Sequence, residues 1–243
     1  LTTMAVLEGR SEISWNGPYF WKEPLDRLIT VATYHLLHRW LGWDAWSAIA
    51  GVSIMAGGIF TIAAMGLACT LGRNPLEEFL VFALLMTTGA AQLFFGHVEN
   101  YTLVMMASAL YLWGGSHLLA NGSPSRRPPW GTGLALGLAI AFHPQAIFFL
   151  PTTILLLWRK GTGWLPRFRT LVRVIAGTLI PIVGTYILGR MLGAAPLVIG
   201  LNRYGNDIAI FLTPGEILRR DHLINVLTNL SLVAPTWPAL LLL

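Results

Sequence analysis

Phe94-Phe95-Gly96-His97-Val98-Glu99-Asn100-Tyr101 lies between two long apolar runs, residues 76–95 and 102–119. A bilayer core is ~30 Å thick and takes about 20 apolar residues as a helix, so each run is long enough to cross once. The polar residues between the runs then stand at a membrane surface. A link this short needs only a few soluble side chains to turn, yet it carries a histidine, a carboxylate, an amide and a phenol. Ionisable groups beside hydrocarbon are costly and mark function by default. The plainer reading is that Glu99 and Asn100 cap the helix that follows, where a carboxylate meets the positive end of the dipole. Capping alone does not call for His97 and Tyr101.

Composition carries this reading to the whole chain. Only 11% of the residues are charged, against about 25% in an ordinary soluble domain. With ten tryptophans and a mean hydropathy of +0.63, the chain reads as an all-α, polytopic transmembrane helical bundle. The net charge of +5 does not point to nucleic acid, because the basic residues sit in the links between apolar runs and act as topology signals. Cys69 is alone in an apolar run, which leaves no disulfide or cysteine metal site and suggests packing. Residue 1 is Leu and the last residues stop inside an apolar segment, so the chain is expected to be part of a longer protein.

Residues 1–43 form the most polar part and are expected to be an outer, extracytoplasmic loop. Its charges, Lys22, Glu23, Asp26 and Arg27 among them, are interleaved with Trp15, Tyr19, Phe20 and Trp21, as in a loop lying on lipid headgroups. Pro24 suits the first turn of a helix. Over 25–41 the apolar residues Leu25, Leu28, Ile29, Ala32, Leu36, Leu37 and Trp40 recur at three and four, opposite Asp26, Arg27, His38 and Arg39. This spacing predicts an amphipathic interfacial helix.

The rest, 44–243, reads as a transmembrane domain with crossings at about 45–71, 76–95, 102–119, 131–142, 145–158, 174–192 and 226–243, and an outer segment at 193–225. His143-Pro144 splits the region 131–158 into two short runs, which form either one kinked helix or two helices meeting at one face. Arg126 and Arg127 precede the pair, and Arg159, Lys160, Arg167, Arg169 and Arg173 follow it. The positive-inside rule puts both clusters in the cytoplasm, so the pair is expected to go out and come back. The loop before residue 44, the 96–101 link, His143 and the 193–225 segment then share the outer face. Between their ends the crossings hold no Asp, Glu, Lys or Arg, and His117 lies near the end of one. Pumps and coupled transporters place such groups near mid-membrane. A chemical site at the outer surface fits better than a path through the bilayer.

Three stretches resemble the GT-C superfamily of polytopic glycosyltransferases, protein-mannosyltransferase-like enzymes that use polyprenyl-phosphate sugars. Residues 130–151, Trp-Gly-Thr-Gly-Leu-Ala-Leu-Gly-Leu-Ala-Ile-Ala-Phe-His-Pro-Gln-Ala-Ile-Phe-Phe-Leu-Pro, look like that superfamily's glycine-leucine-alanine element with a His-Pro and an apolar run to proline. Glu99 heads a crossing as an acidic residue does in many members, and Glu23-Pro24-Leu25 opens an interfacial helix after a polar loop. The likeness extends over the larger part of the chain and rests on order and topology more than on a strict motif. It implies transfer of a sugar from a polyprenyl-phosphate donor to an acceptor at the outer face of the plasma (inner) membrane. The members' catalytic Asp, often in an acidic pair after the first crossing, has no clear counterpart here; Glu8, Glu12, Glu23 and Asp26 are the nearest acidic residues.

Such a transfer needs a carboxylate to take the acceptor's proton, and positive charge or a divalent metal ion to stabilise the departing phosphate. The expected catalytic residues are Glu99, His97 in an orienting role, and Glu23. The expected substrate-binding residues are His143, Asn100, Tyr101, Lys22, Arg27 and Arg203. Each cation has a plain alternative, such as contact with headgroups or reversal of the chain at His143-Pro144. Arg219 and Arg220 are further cations of the outer segment. No phosphate-binding glycine loop, dinucleotide fingerprint or zinc spacing is present. Two other functions remain: a flippase or other transporter of lipid-linked sugars, and a non-catalytic membrane scaffold.

Overall fold

A computed structural model describes residues 23–88, 94, 101–120, 129–157 and 164–193. The regular structure of these residues is helical throughout. In chain order it comprises α1 (Pro24–Leu41), α2 (Ala45–Leu71), α3 (Pro75–Met86), α4 (Thr102–Ala120) and α5 (Trp130–Phe142). A 3-10 turn (Pro144–Phe149), α6 (Leu150–Leu157) and α7 (Trp164–Met191) follow. Three helices are long and apolar enough to cross a membrane, at Ala45–Leu71, Thr102–Leu119 and Phe168–Met191. The chain is therefore a helical membrane protein.

Local chemistry sets several ends. Pro24 and Pro75 occupy first-turn positions, where a missing N–H is harmless. Asp44 caps α2 by accepting from the Ser47 N–H at 2.8 Å, and Asn74 caps α3 by accepting from the Glu77 N–H at 3.0 Å. Gly42, at φ 67°, ends α1 in the left-handed region that glycine adopts without steric penalty.

The contacts give the directions. Ala56 shares a core cluster with Leu103, Met106 and Ala107, Phe60, Ala63 and Ala64 pack with Ala109, and Gly66 abuts Trp113. Both numberings rise together, so α2 and α4 run parallel. Between α4 and α5 they run opposite: Gly114 meets Thr132, Tyr111 packs with Ala135 and Leu136, and Leu103 packs in the cluster of Ala139 and Phe142. Gly133 then lies on the Val174 carbonyl and Gly137 on that of Thr178, which makes α5 and α7 parallel. Two parallel helices need a return between them, and Pro144–Leu157 provides it. Tyr111 holds this return from the side. Its hydroxyl is 2.7 Å from Thr152 Oγ1 and 2.9 Å from Thr153 Oγ1, in a buried setting where unpaired hydroxyls are costly.

The structure differs from the sequence reading in four places. The expected crossing at 76–95 is interrupted: its helix ends at Met86, Thr87 and Thr88 leave the helix, and residues 89–93 and 95 lie outside the described residues. The Thr87 hydroxyl donates to the Ala83 and Leu84 carbonyls and that of Thr88 to Leu85, and the Thr87 and Thr88 N–H groups share the Ala83 and Leu85 carbonyls with them. The helix that carries the expected 174–192 crossing begins earlier, at Trp164. The 145–158 run is a 3-10 turn followed by a short helix rather than one helix. Finally, Asp26 is not on a solvated polar face but 6% exposed. The first half of α1 is enclosed, with Pro24, Asp26, Leu28, Thr30 and Val31 all buried, whereas a single apolar stripe assumes one covered side. The crossing at 226–243 and residues 1–22 and 194–225 of the outer segments lie outside the described residues.

Candidate functional site

The parallel and antiparallel courses bring the start of α1, the start of α4 and the end of α5 to one end of the bundle. Tyr101 precedes α4 and accepts the Met105 N–H on its carbonyl at 3.0 Å. His143 ends α5, where its N–H donates to the Ala139 carbonyl at 2.9 Å. The chain then turns extended, and His143 Nδ1 accepts from the Gln145 N–H at 3.3 Å. That bond assigns the neutral ring's proton to Nε2. The Tyr101 and His143 rings stand 5.5 Å apart at 35°. His143 is half-buried; burial holds its pKa below the usual histidine value, and the charge of Glu23 partly restores it.

Glu23 precedes α1, and its carbonyl accepts the Arg27 N–H at 3.1 Å. Asp26 stands three residues on, and spacing of three or four makes neighbours on a helix. Burial, reinforced by the charge of Glu23 and opposed by Arg27, pushes the Asp26 carboxyl up to about 7. At neutral pH this group is part protonated. Arg27 is half-buried, and its Nε is enclosed with no hydrogen-bond partner. A buried donor left unpaired costs about 1–3 kcal/mol, more when charged, so this N–H is a ready place for an anion.

A cleft of about 400 Å³ begins at Tyr101, His143 and Gln145. It runs along α4 past Val104, Met105 and Ser108 to Leu112, ~16 Å by helical rise. Phe60 and Leu67 of α2, Leu85 of α3 and Phe149 of the return complete its walls. The polar groups gather at one end, apart from Ser108 and Thr88, and the length is apolar. Such a cleft suits an amphipathic ligand with a polar head and a hydrocarbon tail.

Of the residues expected from sequence, the structure brings Tyr101, His143 and Glu23 together, and Arg27 stands one turn after Glu23 on α1. Glu99, His97, Asn100, Lys22 and Arg203 lie outside the described residues. As a site residue, Asp26 stands in the sequence reading only among the acidic residues nearest to the missing catalytic Asp, with no role assigned, and Gln145 is not singled out. The Glu23–Asp26 spacing was a usable signal for the first, whereas Gln145 follows only from the turn at His143. Among the described residues no group of three or more His, Cys, Asp or Glu could hold a metal ion, so these residues alone do not fit one. Comparison with protein-family models, with curated proteins and with solved structures gives no match. The functional reading therefore rests on the residues themselves.

Proposed function

We propose that this chain is a multi-pass glycosyltransferase of the plasma (inner) membrane, similar to the GT-C superfamily. It moves a sugar from a polyprenyl-phosphate donor to an acceptor hydroxyl at the outer face. The observation that supports this most is the cleft: an apolar length for a prenyl tail, opening beside Tyr101, His143 and Gln145, with Glu23 close enough to influence His143. In this reading the glycosidic carbon–oxygen bond to phosphate breaks as a bond to the acceptor oxygen forms. Glu99 takes the acceptor's proton, and the departing polyprenyl phosphate is stabilised by Arg27 and by the Nε2–H of His143, with Lys22 and Arg203 as further cations. A part-protonated Asp26 leaves the phosphate less repelled than two carboxylates would.

The test uses the full-length protein in proteoliposomes with radiolabelled polyprenyl-phosphate hexoses and a hydroxyl acceptor. Glu99→Gln should insert at normal levels and lose transfer by orders of magnitude, as removal of a general base does. A helix cap would tolerate that change at about 1 kcal/mol or less of stability. Wild-type transfer by Glu99→Gln would return Glu99 to the cap. A wild-type protein that transfers none of the hexoses would favour the scaffold.

A further inference from the structure

The second half of α1 is left outside the bundle. Beyond Val31, only Thr33, Tyr34 and Leu37 are half-buried, while Leu36, Trp40 and Leu41 are exposed, Trp40 by 75%. Short helices are marginal in water by themselves, and large apolar side chains gathered on a surface mark an interaction site. At ~100° per residue, Leu36 and Trp40 fall on one flank of the helix and His35, His38 and Arg39 on the other. Tyr34 packs on both histidine rings, at 5.4 Å from His35 and 5.2 Å from His38. The His38 Nδ1 lies 2.8 Å from the Trp43 carbonyl oxygen, which ties the end of α1 to the turn at Gly42.

Connectivity says what covers this surface. The turn leads within a few residues into α2, one of the helices long and apolar enough to cross a membrane, and Trp43 and Trp46 at the junction are exposed. Tryptophan settles at headgroup level. The exposed flank carries the guanidinium of Arg39 beside the imidazoles of His35 and His38. The nearby carboxylate of Asp44 is engaged by the Ser47 N–H.

We propose that the second half of α1 docks on phospholipid headgroups. Leu36 and Trp40 insert beside the acyl chains, and His35, His38 and Arg39 face the lipid phosphates. This inference does not depend on the transfer reading, but it links lipid contact to the site, because the docked helix carries Glu23, Asp26 and Arg27 at its other end.

Nitroxide labels at Leu36→Cys or His35→Cys, each in a Cys69→Ser background, test it in liposomes of phosphatidylcholine and phosphatidylglycerol. The label at 36 should collide with oxygen severalfold more often than with a nickel chelate, and the label at 35 should show the reverse. Arg39→Glu should move the label at 36 toward the chelate. Helix content and gel-filtration elution would show that this exposed substitution leaves the fold intact. Equal chelate access at 35 and 36 overturns the proposal, as does an Arg39→Glu variant with unchanged depth. Spin–spin broadening at 36 would assign the surface to a second copy and overturn it too.

Discussion

A carboxyl group enclosed as Asp26 is prefers to keep its proton, and this preference has a sign that can be measured. Its pKa is about 7 in the folded chain against 3.8 for the free side chain. Between these values the folded state binds more protons than the unfolded one, so stability is greatest below 3.8 and falls as pH rises to about 7. At ~1.4 kcal/mol per unit, the fall is on the order of 4 kcal/mol and is complete above about 7. Asp26→Asn cannot ionise and should lose this slope. Thermal unfolding of the detergent-solubilised protein between pH 4 and pH 8 would show it, and a wild-type curve that rises with pH would contradict the enclosure. If sugar transfer is the activity, its decline above about pH 7 should also flatten in Asp26→Asn. Pro24 was legible as a helix-start residue from its type alone. The enclosure of Asp26 was not, because periodicity shows which side of a helix is apolar but not how many sides are covered.

Close backbone approach sets the contact of α5 with α7. A Cβ at Gly133 would strike the Val174 carbonyl, one at Gly137 that of Thr178, and one at Gly177 that of Trp130. Small residues at such crossings allow the packing that holds membrane helices together. Gly137→Val should therefore force the helices apart and destabilise the bundle by at least ~1–3 kcal/mol, the usual range for overpacking. Gly58→Ala, with nothing within 4 Å of the new methyl, should change little. Comparing the unfolding midpoints of the two variants checks this, and a stable Gly137→Val would mean that α5 and α7 are not in contact there. The ends of α2 were readable because Asp44, Ser47 and Gly72 are cap residues beside a long apolar run. The end of α3 was not. Hydropathy stays high through Thr87 and Thr88, and threonines also occur inside continuing helices here, as Thr61, Thr70 and Thr178 do.

Helix directions and basic residues together determine how the whole molecule sits. Since α2 and α4 are parallel and α5 opposes α4, Glu23, Tyr101 and His143 lie at one end, and the Gly66–Trp113 and Gly114–Thr132 contacts lie toward the other. Arg73 follows α2, and Arg169 and Arg173 belong to the first turns of α7, so all three belong to that second end. Arg126 and Arg127 fall between α4 and α5, and Arg159 and Lys160 between α6 and α7, which attaches them to it by connectivity. Short basic links are retained in the cytoplasm, so the His143 end should face out. α7 is ~42 Å long by helical rise, more than the ~30 Å hydrocarbon core requires. Its first turns, with Trp164 and Phe168 stacked at 6.2 Å beside Arg169, should then extend into the cytoplasmic interface. In a Cys69→Ser background of the full-length protein in intact cells, Ser125→Cys should resist a membrane-impermeant maleimide until the membrane is opened. Asn202→Cys, in the segment after α7, should react at once. Labelling of both from the same side would break the parallel course of α5 and α7 or the orientation of the bundle. Labelling of Ser125→Cys alone from outside would keep the helix directions and invert the molecule, which would place the cleft mouth in the cytoplasm and remove the outer-face transfer reaction.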